Sequence, residues 1–293
     1  MRLASFAPPG GAARLGVLVT ADGPDAVVDV RRVDPRLPAD VPAVLAGGPV
    51  VLDQLRRAVG AAGEDARHRV ADVELLAPVP RPGKIVAVGL NYRDHAEETG
   101  DAIPEAPVVF AKFPSSVTGP YADIVHPADS TRLDYEGELG VVIGRRCRHV
   151  EEADAPGVIG GYLVLDDVSA RDVQNRNSQW TLGKSYDTFA PIGPAVVTPD
   201  EVGDPQALDI STHVNEEPRQ KSNTRNMIFG VYELVSRISA VCTLEPGDII
   251  ATGTPGGVGI GFDPERLLAV GDVVRVTVQG IGTIANRVTA ASA

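Results

Sequence analysis

Glu136 and Glu138 stand two apart in the run 134–144, DYEGELGVVIG. Strand geometry turns both carboxylates to one face and leaves Leu139, Val141 and Ile143 for the other. Two like charges side by side in an apolar strand are costly unless a cation, a proton or a strong donor lies between them. The competing reading is an acidic face on an exposed edge strand. Asp166-Asp167 closes a second apolar run, 161–167 (GYLVLDD), and offers a third oxygen ligand. An all-carboxylate set with no His or Cys beside it selects Mg²⁺, Mn²⁺ or Ca²⁺ over zinc.

His95 and Glu98 are three apart in NYRDHAEET (91–99), a polar helix ended by Gly100, where a carboxylate at i+3 can orient an imidazole and raise its basicity. A surface histidine among acidic neighbours gives the same pattern. Lys184 follows the single tryptophan, Trp180, in WTLGKS, as either a partly desolvated cation or an exposed loop lysine. The glycine-rich run 253–261, GTPGGVGIG, fits neither GxxxxGK[ST] nor GxGxxG. It is either a tight connection or a loop that brings backbone N–H groups close to an anion. No GxSxG and no HExxH occurs, so the usual serine-hydrolase and zinc-protease signals are missing.

The elements that carry these residues are mostly strands. The chain has 293 residues, with 31 glycines and 24 prolines and no repeat period, which predicts many turns joining short strands. Residues 16–20, 26–30 and 84–89 read as strands, 50–62 as a helix, 228–241 as an amphipathic helix, and 272–279 with 283–288 as a hairpin across Gly280-Ile281-Gly282. Strands alternate poorly with helices, which disfavours a doubly wound parallel sheet. The connector APVPRPG at 77–83 places a boundary near residue 80, between a small N-terminal α+β domain (1–80) and a catalytic domain (81–293).

With 27 Lys and Arg against 39 Asp and Glu, the net charge is -12, which argues against nucleic acid as a partner. Cys147 and Cys242 make no disulfide framework, residues 1–16 lack a secretory h-region, and no run reaches the ~20 apolar residues of a membrane span, so the expected location is the cytoplasm, without a membrane partner.

Several segments in this order resemble the fumarylacetoacetate hydrolase family, in particular its smaller bacterial branch. They are VGLNYRDHAEE (88–98), FAKFPSS (110–116), DYEGELGVVIG, DVSARDVQ (167–174), QWTLGKSYDTFAPIGP (179–194), NMIF (226–229) and GDIIATGTPGGVG (247–259). The resemblance implies a mainly β (α+β) fold of layered, rolled mixed sheets, usually in a homodimer. It implies Glu136, Glu138 and Asp167 as ligands of Mg²⁺ or Mn²⁺, Lys184 as the active-site lysine, and Arg171, Gln174 and Thr254 as substrate-contacting positions. His95 and Glu98 match a water-activating dyad. One departure is Arg225-Asn226, where the family commonly has Asp before Met-Ile-Phe.

The leading expectation is a metal-dependent hydrolase that cleaves a C–C bond of an acylpyruvate or related diketo acid through a metal-bound enolate. The same enolate serves a decarboxylase or isomerase acting on oxaloacetate or a hydroxymuconate-type acid in aromatic-compound catabolism. A non-catalytic binding protein on the same fold is the third reading.

Overall fold

The computed structural model describes residues 1–19, 25–100 and 102–291. Its main sheet runs, strand beside strand, through Arg67–Arg69, Ala26–Asp29, Arg14–Val19, Arg2–Ala7, Ala190–Val197, Ile159–Asp166, Gly137–Ile143, Ile249–Ala251, Ile85–Gly89 and Val108–Lys112. The pairing is mixed: Ile249–Ala251 runs parallel to Ile85–Gly89, while Gly137–Ile143 is antiparallel to both its neighbours. A second sheet orders Glu217–Asn223, Asp209–Val214, Val273–Val278, Gly282–Ala290 and Ile124–His126. With few helices beside them, these layered sheets give the mainly β, α+β architecture expected from the sequence.

Alternating burial explains the layering. Along Gly137–Ile143, Leu139, Val141 and Ile143 enter a core shared with Val276, Ile284 and the helix Val231–Val241. Val142 faces the other way, into a core built with Leu163, Ile192, Leu45 and Leu55. This second core draws on residues from both sides of position 80, and Arg2–Ala7 pairs directly with Ala190–Val197. The proline-rich connector is thus a boundary in composition that the main sheet crosses.

Where elements differ from expectation, local chemistry accounts for it. The first long helix spans Gly48–Gly60, shifted toward Pro49, which suits a first helical turn. The second begins at Val231 because the Ile228 N–H donates to the Asn91 carbonyl (2.7 Å) and Gly230 takes the N-cap position. The run 134–144 is not one strand. Leu133–Asp134 pairs with Ser169–Ala170, Tyr135 and Glu136 interrupt, and Gly137–Ile143 resumes in the main sheet.

Candidate active site

Gly137 lies opposite Asp166 in the antiparallel register of the two central strands, and the Asp167 N–H donates to the Glu136 carbonyl at 2.8 Å. This register brings Glu136, Glu138 and Asp167 to one end of the sheet, with a carboxylate oxygen from each within 4.8 Å of the others. All three are buried, Glu138 within a central strand, Glu136 just before it and Asp167 just after its neighbour, which disposes of the exposed-edge alternative.

Cations surround two of the three carboxylates. Lys184 Nζ sits 2.7 Å from Glu136 and 3.0 Å from Asp167, Arg171 lies 2.6 Å from Glu136, and Lys112 lies 2.6 Å from Asp167. Burial alone would raise the Glu136 carboxyl, but Lys184 and Arg171 outweigh it and hold it down at about 2. Among the described residues Glu138 accepts one hydrogen bond, from the Gly253 N–H (2.8 Å), and burial and the neighbouring Asp167 and Glu136 charges outweigh this and Lys184 and push it well above the usual carboxylate range. Asp166 accepts the Glu136 N–H at 2.9 Å, and burial lifts it to about 7.

The donor set fits a hard dication. Five buried carboxyl groups (Asp134, Glu136, Glu138, Asp166, Asp167) face three buried cations (Lys112, Arg171, Lys184), an excess of acidic groups that either protons, as the raised Glu138 and Asp166 carboxyls would take up, or a further cation must neutralise. A divalent cation held by oxygen ligands removes that excess, whereas a thiol- or imidazole-seeking metal finds no ligand of its kind in the triad.

The strand Ile85–Gly89 delivers the second group of residues. Leu90 follows it in the left-handed region (φ 53°), and Asn91 is then pinned. Its Nδ2 donates to the carbonyls of Phe229 (3.0 Å) and Thr252 (2.7 Å), and its Oδ1 accepts the Phe229 N–H (2.8 Å). The helix Arg93–Thr99 starts from this anchor and ends at left-handed Gly100. It places His95 Nδ1 3.5 Å from Glu98 Oε2, with His95 on the cavity wall. Burial opposes ionisation of Glu98, but His95 and the Gly257 N–H more than compensate and lower its pKa.

The glycine-rich loop presents its amides to the protein's own carboxylates. Gly253 N–H reaches Glu138, Gly257 N–H reaches both oxygens of Glu98 (3.0 and 2.9 Å), and the N–H groups of Gly259 (2.7 Å) and Ile260 (3.2 Å) reach Asp134. Gly257 has φ +95°, and a Cβ there would lie 2.1 Å from the Arg219 carbonyl oxygen, so glycine is required by the close backbone approach.

Arg171 spans the cluster. Its Nε donates to Asp134 (2.9 Å) and its Nη1 to Gln174 (3.0 Å), while Nη2 is buried with no hydrogen-bond partner among the described residues. Thr254 Oγ1 donates to the Gly137 carbonyl (2.9 Å) and accepts from Gln220 (2.7 Å). A cavity of about 130 Å³ opens over these groups, with His95, Glu136, Arg171, Gln174, Lys184 and Thr254 on one side and Phe110, Trp180 and Ile260 among its apolar lining. Glu138 and Asp167 adjoin it through Glu136 and Lys184, and Glu98 stands behind His95. A larger hollow of about 320 Å³, lined by Leu18, Leu75 and Tyr121, brings together only Arg2 and Asp25 as charged groups.

Sequence reasoning did not single out Lys112, Asp134 or Gln220, and named Asp166 only together with Asp167. Each acts through a partner far along the chain: Lys112 reaches Asp167, Val168 O and the Lys184 carbonyl, and Gln220 bridges the Gly137 N–H to Thr254.

Residues 84–289 match the family model described as fumarylacetoacetate (FAA) hydrolase C-terminal. The chain is 44% identical over 263 residues to the mitochondrial oxaloacetate tautomerase Fahd2a of Rattus norvegicus, covering 89% of this chain and 83% of that protein. It is 50% identical over 208 residues to 2,4-didehydro-3-deoxy-L-rhamnonate hydrolase of a Sphingomonas species, covering 70% and 73%. Among solved structures, maleylpyruvate hydrolase from Sphingobium, in complex with manganese(II) and pyruvate, superposes with a TM-score of 0.81 at 34% identity over the whole of both chains.

Proposed function

The chain belongs to the fumarylacetoacetate hydrolase family, and from that premise we propose that it is a divalent-metal-dependent enzyme that forms the enolate of a short 2-oxo acid. The reaction we assign is keto–enol tautomerisation of an oxaloacetate-type diacid. The observation that carries this reading is the small cavity over the carboxylate cluster, where Arg171, Lys184 and His95 converge. At about 130 Å³ it is well below the 300–1,000 Å³ of common ligand pockets, which suits a substrate of few carbons. The tautomerase relative, aligned along 89% of the chain, supports the same reaction.

The residues divide the work as follows. The unpaired Arg171 Nη2 and the neighbouring Gln174 amide hold a substrate carboxylate. His95, oriented by Glu98, takes a proton from C3 and delivers one to the 2-oxo oxygen, and for the enol the two transfers run in reverse. Lys184 supplies positive charge where the 2-oxo oxygen becomes negative. Phe110, Trp180 and Ile260 limit the access of water. Glu136, Glu138 and Asp167 would hold Mg²⁺ or Mn²⁺, which as a Lewis acid polarises the 2-oxo group.

The C–C hydrolase expected from the sequence is the second reading. The His95–Glu98 pair favours it, since an oriented imidazole can equally deprotonate a water that attacks a distal carbonyl. The test gives purified protein and Mg²⁺ oxaloacetate and, separately, acylpyruvates, following enol absorbance, pyruvate release and ¹⁸O entry from labelled water. Rapid enol loss from oxaloacetate without pyruvate, and no cleavage of acylpyruvates, is the expected result. Cleavage with ¹⁸O in the released acid replaces it by the hydrolase reading, and pyruvate from oxaloacetate replaces it by decarboxylation. The same proposal keeps a homodimer and a cytoplasmic location. Among the described residues no helix is long and apolar enough to cross a membrane.

A further inference from the structure

The polar lining of the cavity is accounted for by the chemistry above, whereas its apolar lining has been given only the exclusion of water. Val88, Gly89, Leu90, Phe110, Trp180 and Ile260 form it, and none of them carries a charge. Trp180 is the centre of this wall. Its ring meets Phe110 edge-on, with centroids 5.4 Å apart at 70°. It also rests against Gly89, where a Cβ would lie 2.5 Å from the indole Cζ3. The last residue of the strand Ile85–Gly89 has thus given up its side chain to let the indole approach. The short helical turn Trp180–Leu182 that holds this ring leads on to Lys184, whose N–H donates to the Trp180 carbonyl (3.2 Å). One turn of chain therefore fixes both the apolar wall and the cation at the reacting end.

We propose that Trp180, seated on Gly89 and braced by Phe110, is the residue that limits substrate length, so that the site takes 2-oxo diacids of four carbons and rejects those of six. This rests on the enolate reading for the identity of the head group but not for the size limit. A wall of this kind meets a growing chain with steric contact, and the ammonium nearest it, Lys184 Nζ at 5.2 Å from the Phe110 ring centroid, is already engaged by Glu136 and Asp167. Each methylene accommodated or refused by an apolar pocket is worth roughly 10- to 200-fold in discrimination.

The experiment measures binding of oxaloacetate, 2-oxoglutarate and 2-oxoadipate in Mg²⁺ by calorimetry for wild type, Trp180→Phe and Trp180→Ala. Quenching of the single tryptophan gives a second readout in wild type. Turnover of oxaloacetate and of acylpyruvates is recorded in parallel. Wild type should prefer the four-carbon acid over the six-carbon acid by on the order of 10²-fold or more, Trp180→Ala should cut that preference at least about tenfold, and Trp180→Phe should shift it less, in the same direction. If the alanine protein fails to fold, the phenylalanine protein carries the test through the sign of its shift. An unchanged preference in a folded variant, or no preference in wild type, overturns the proposal. Length-graded binding without turnover of any of these acids removes the enolate reading and leaves the length limit standing.

Discussion

A single buried carboxylate and a buried cluster of them lie along the same main sheet and differ in how their charge is met. In the N-terminal part, Asp29 is fully buried, yet Arg14 lies 2.7 Å from it, the Arg31 N–H donates to it at 3.1 Å, and Arg32 stands at 3.7 Å. One carboxylate there has cations and a helix N-terminus to itself. At the centre, five carboxylates share three cations, and Glu138 has a single backbone donor. The first arrangement is complete within the protein and serves stability. The second is left with more acidic groups than cations, which suits the divalent metal proposed for it.

Chelation should separate the two arrangements most sharply. Stripping divalent metal should abolish turnover, Mg²⁺ or Mn²⁺ should restore it, and the melting temperature should fall in chelator because the crowded carboxylates lose their counter-charge. Glu138→Gln should prevent this restoration while raising the melting temperature in chelator, since it removes a carboxyl that burial and the Asp167 and Glu136 charges force to take up a proton. Activity that survives excess chelator, or a Glu138→Gln protein less stable than wild type in chelator, would contradict the distinction.

Next in size is the imidazole. His95→Ala should lower turnover by roughly 10²- to 10⁴-fold, the range of a general acid or base. Mn²⁺ affinity by calorimetry should be unchanged, because the triad holds only oxygen ligands. A parallel loss of metal binding would mean that the histidine belongs to the metal centre.

Lys184→Met comes third, with a loss on the order of 10²-fold in kcat if the lysine acts on developing negative charge. The loss should fall on kcat more than on metal affinity, as titration with Mn²⁺ would show. Full turnover would return Lys184 to a purely structural role among the carboxylates.

The smallest effect on turnover belongs to the single carboxylate. Asp29→Asn should leave kcat unchanged and cost about 1–3 kcal/mol of stability in urea, from the loss of a charged partner to Arg14. A drop in kcat for the folded protein would show that the N-terminal carboxylate communicates with the site.

Much of this was legible from short-range pattern. Alternation of valines gave the hairpin that appears as Val273–Val278 and Gly282–Ala290, and the two-residue spacing of Glu136 and Glu138 marked a pair that does meet, although Glu136 stands just before the strand rather than in it. The i, i+3 spacing gave the contact of His95 with Glu98. What stayed hidden depends on distance along the chain. Lys112 ends an edge strand and reads as a solvated lysine, but its ammonium turns inward to Asp167, 55 residues away. Asp134 reads as one more strand carboxylate, yet it holds both Arg171 and the amides of Gly259 and Ile260. The glycine run offered donors without naming their acceptors, and the acceptors proved to be Glu98, Glu138 and Asp134.

Leu90 bears on how this protein could be engineered. A branched, bulky residue in the left-handed region stores on the order of 1 kcal/mol or more of backbone strain, and here it is held in place by the Asn91 anchor on one side and the sheet on the other. Its side chain lines the cavity, so leucine serves the pocket at the expense of the backbone. Leu90→Asn, which tolerates this conformation, should therefore thermostabilise the enzyme while roughening the apolar wall. A screen that selects for heat resistance alone would be drawn to residue 90 and would trade turnover for it, whereas one that selects for activity would keep the strained leucine.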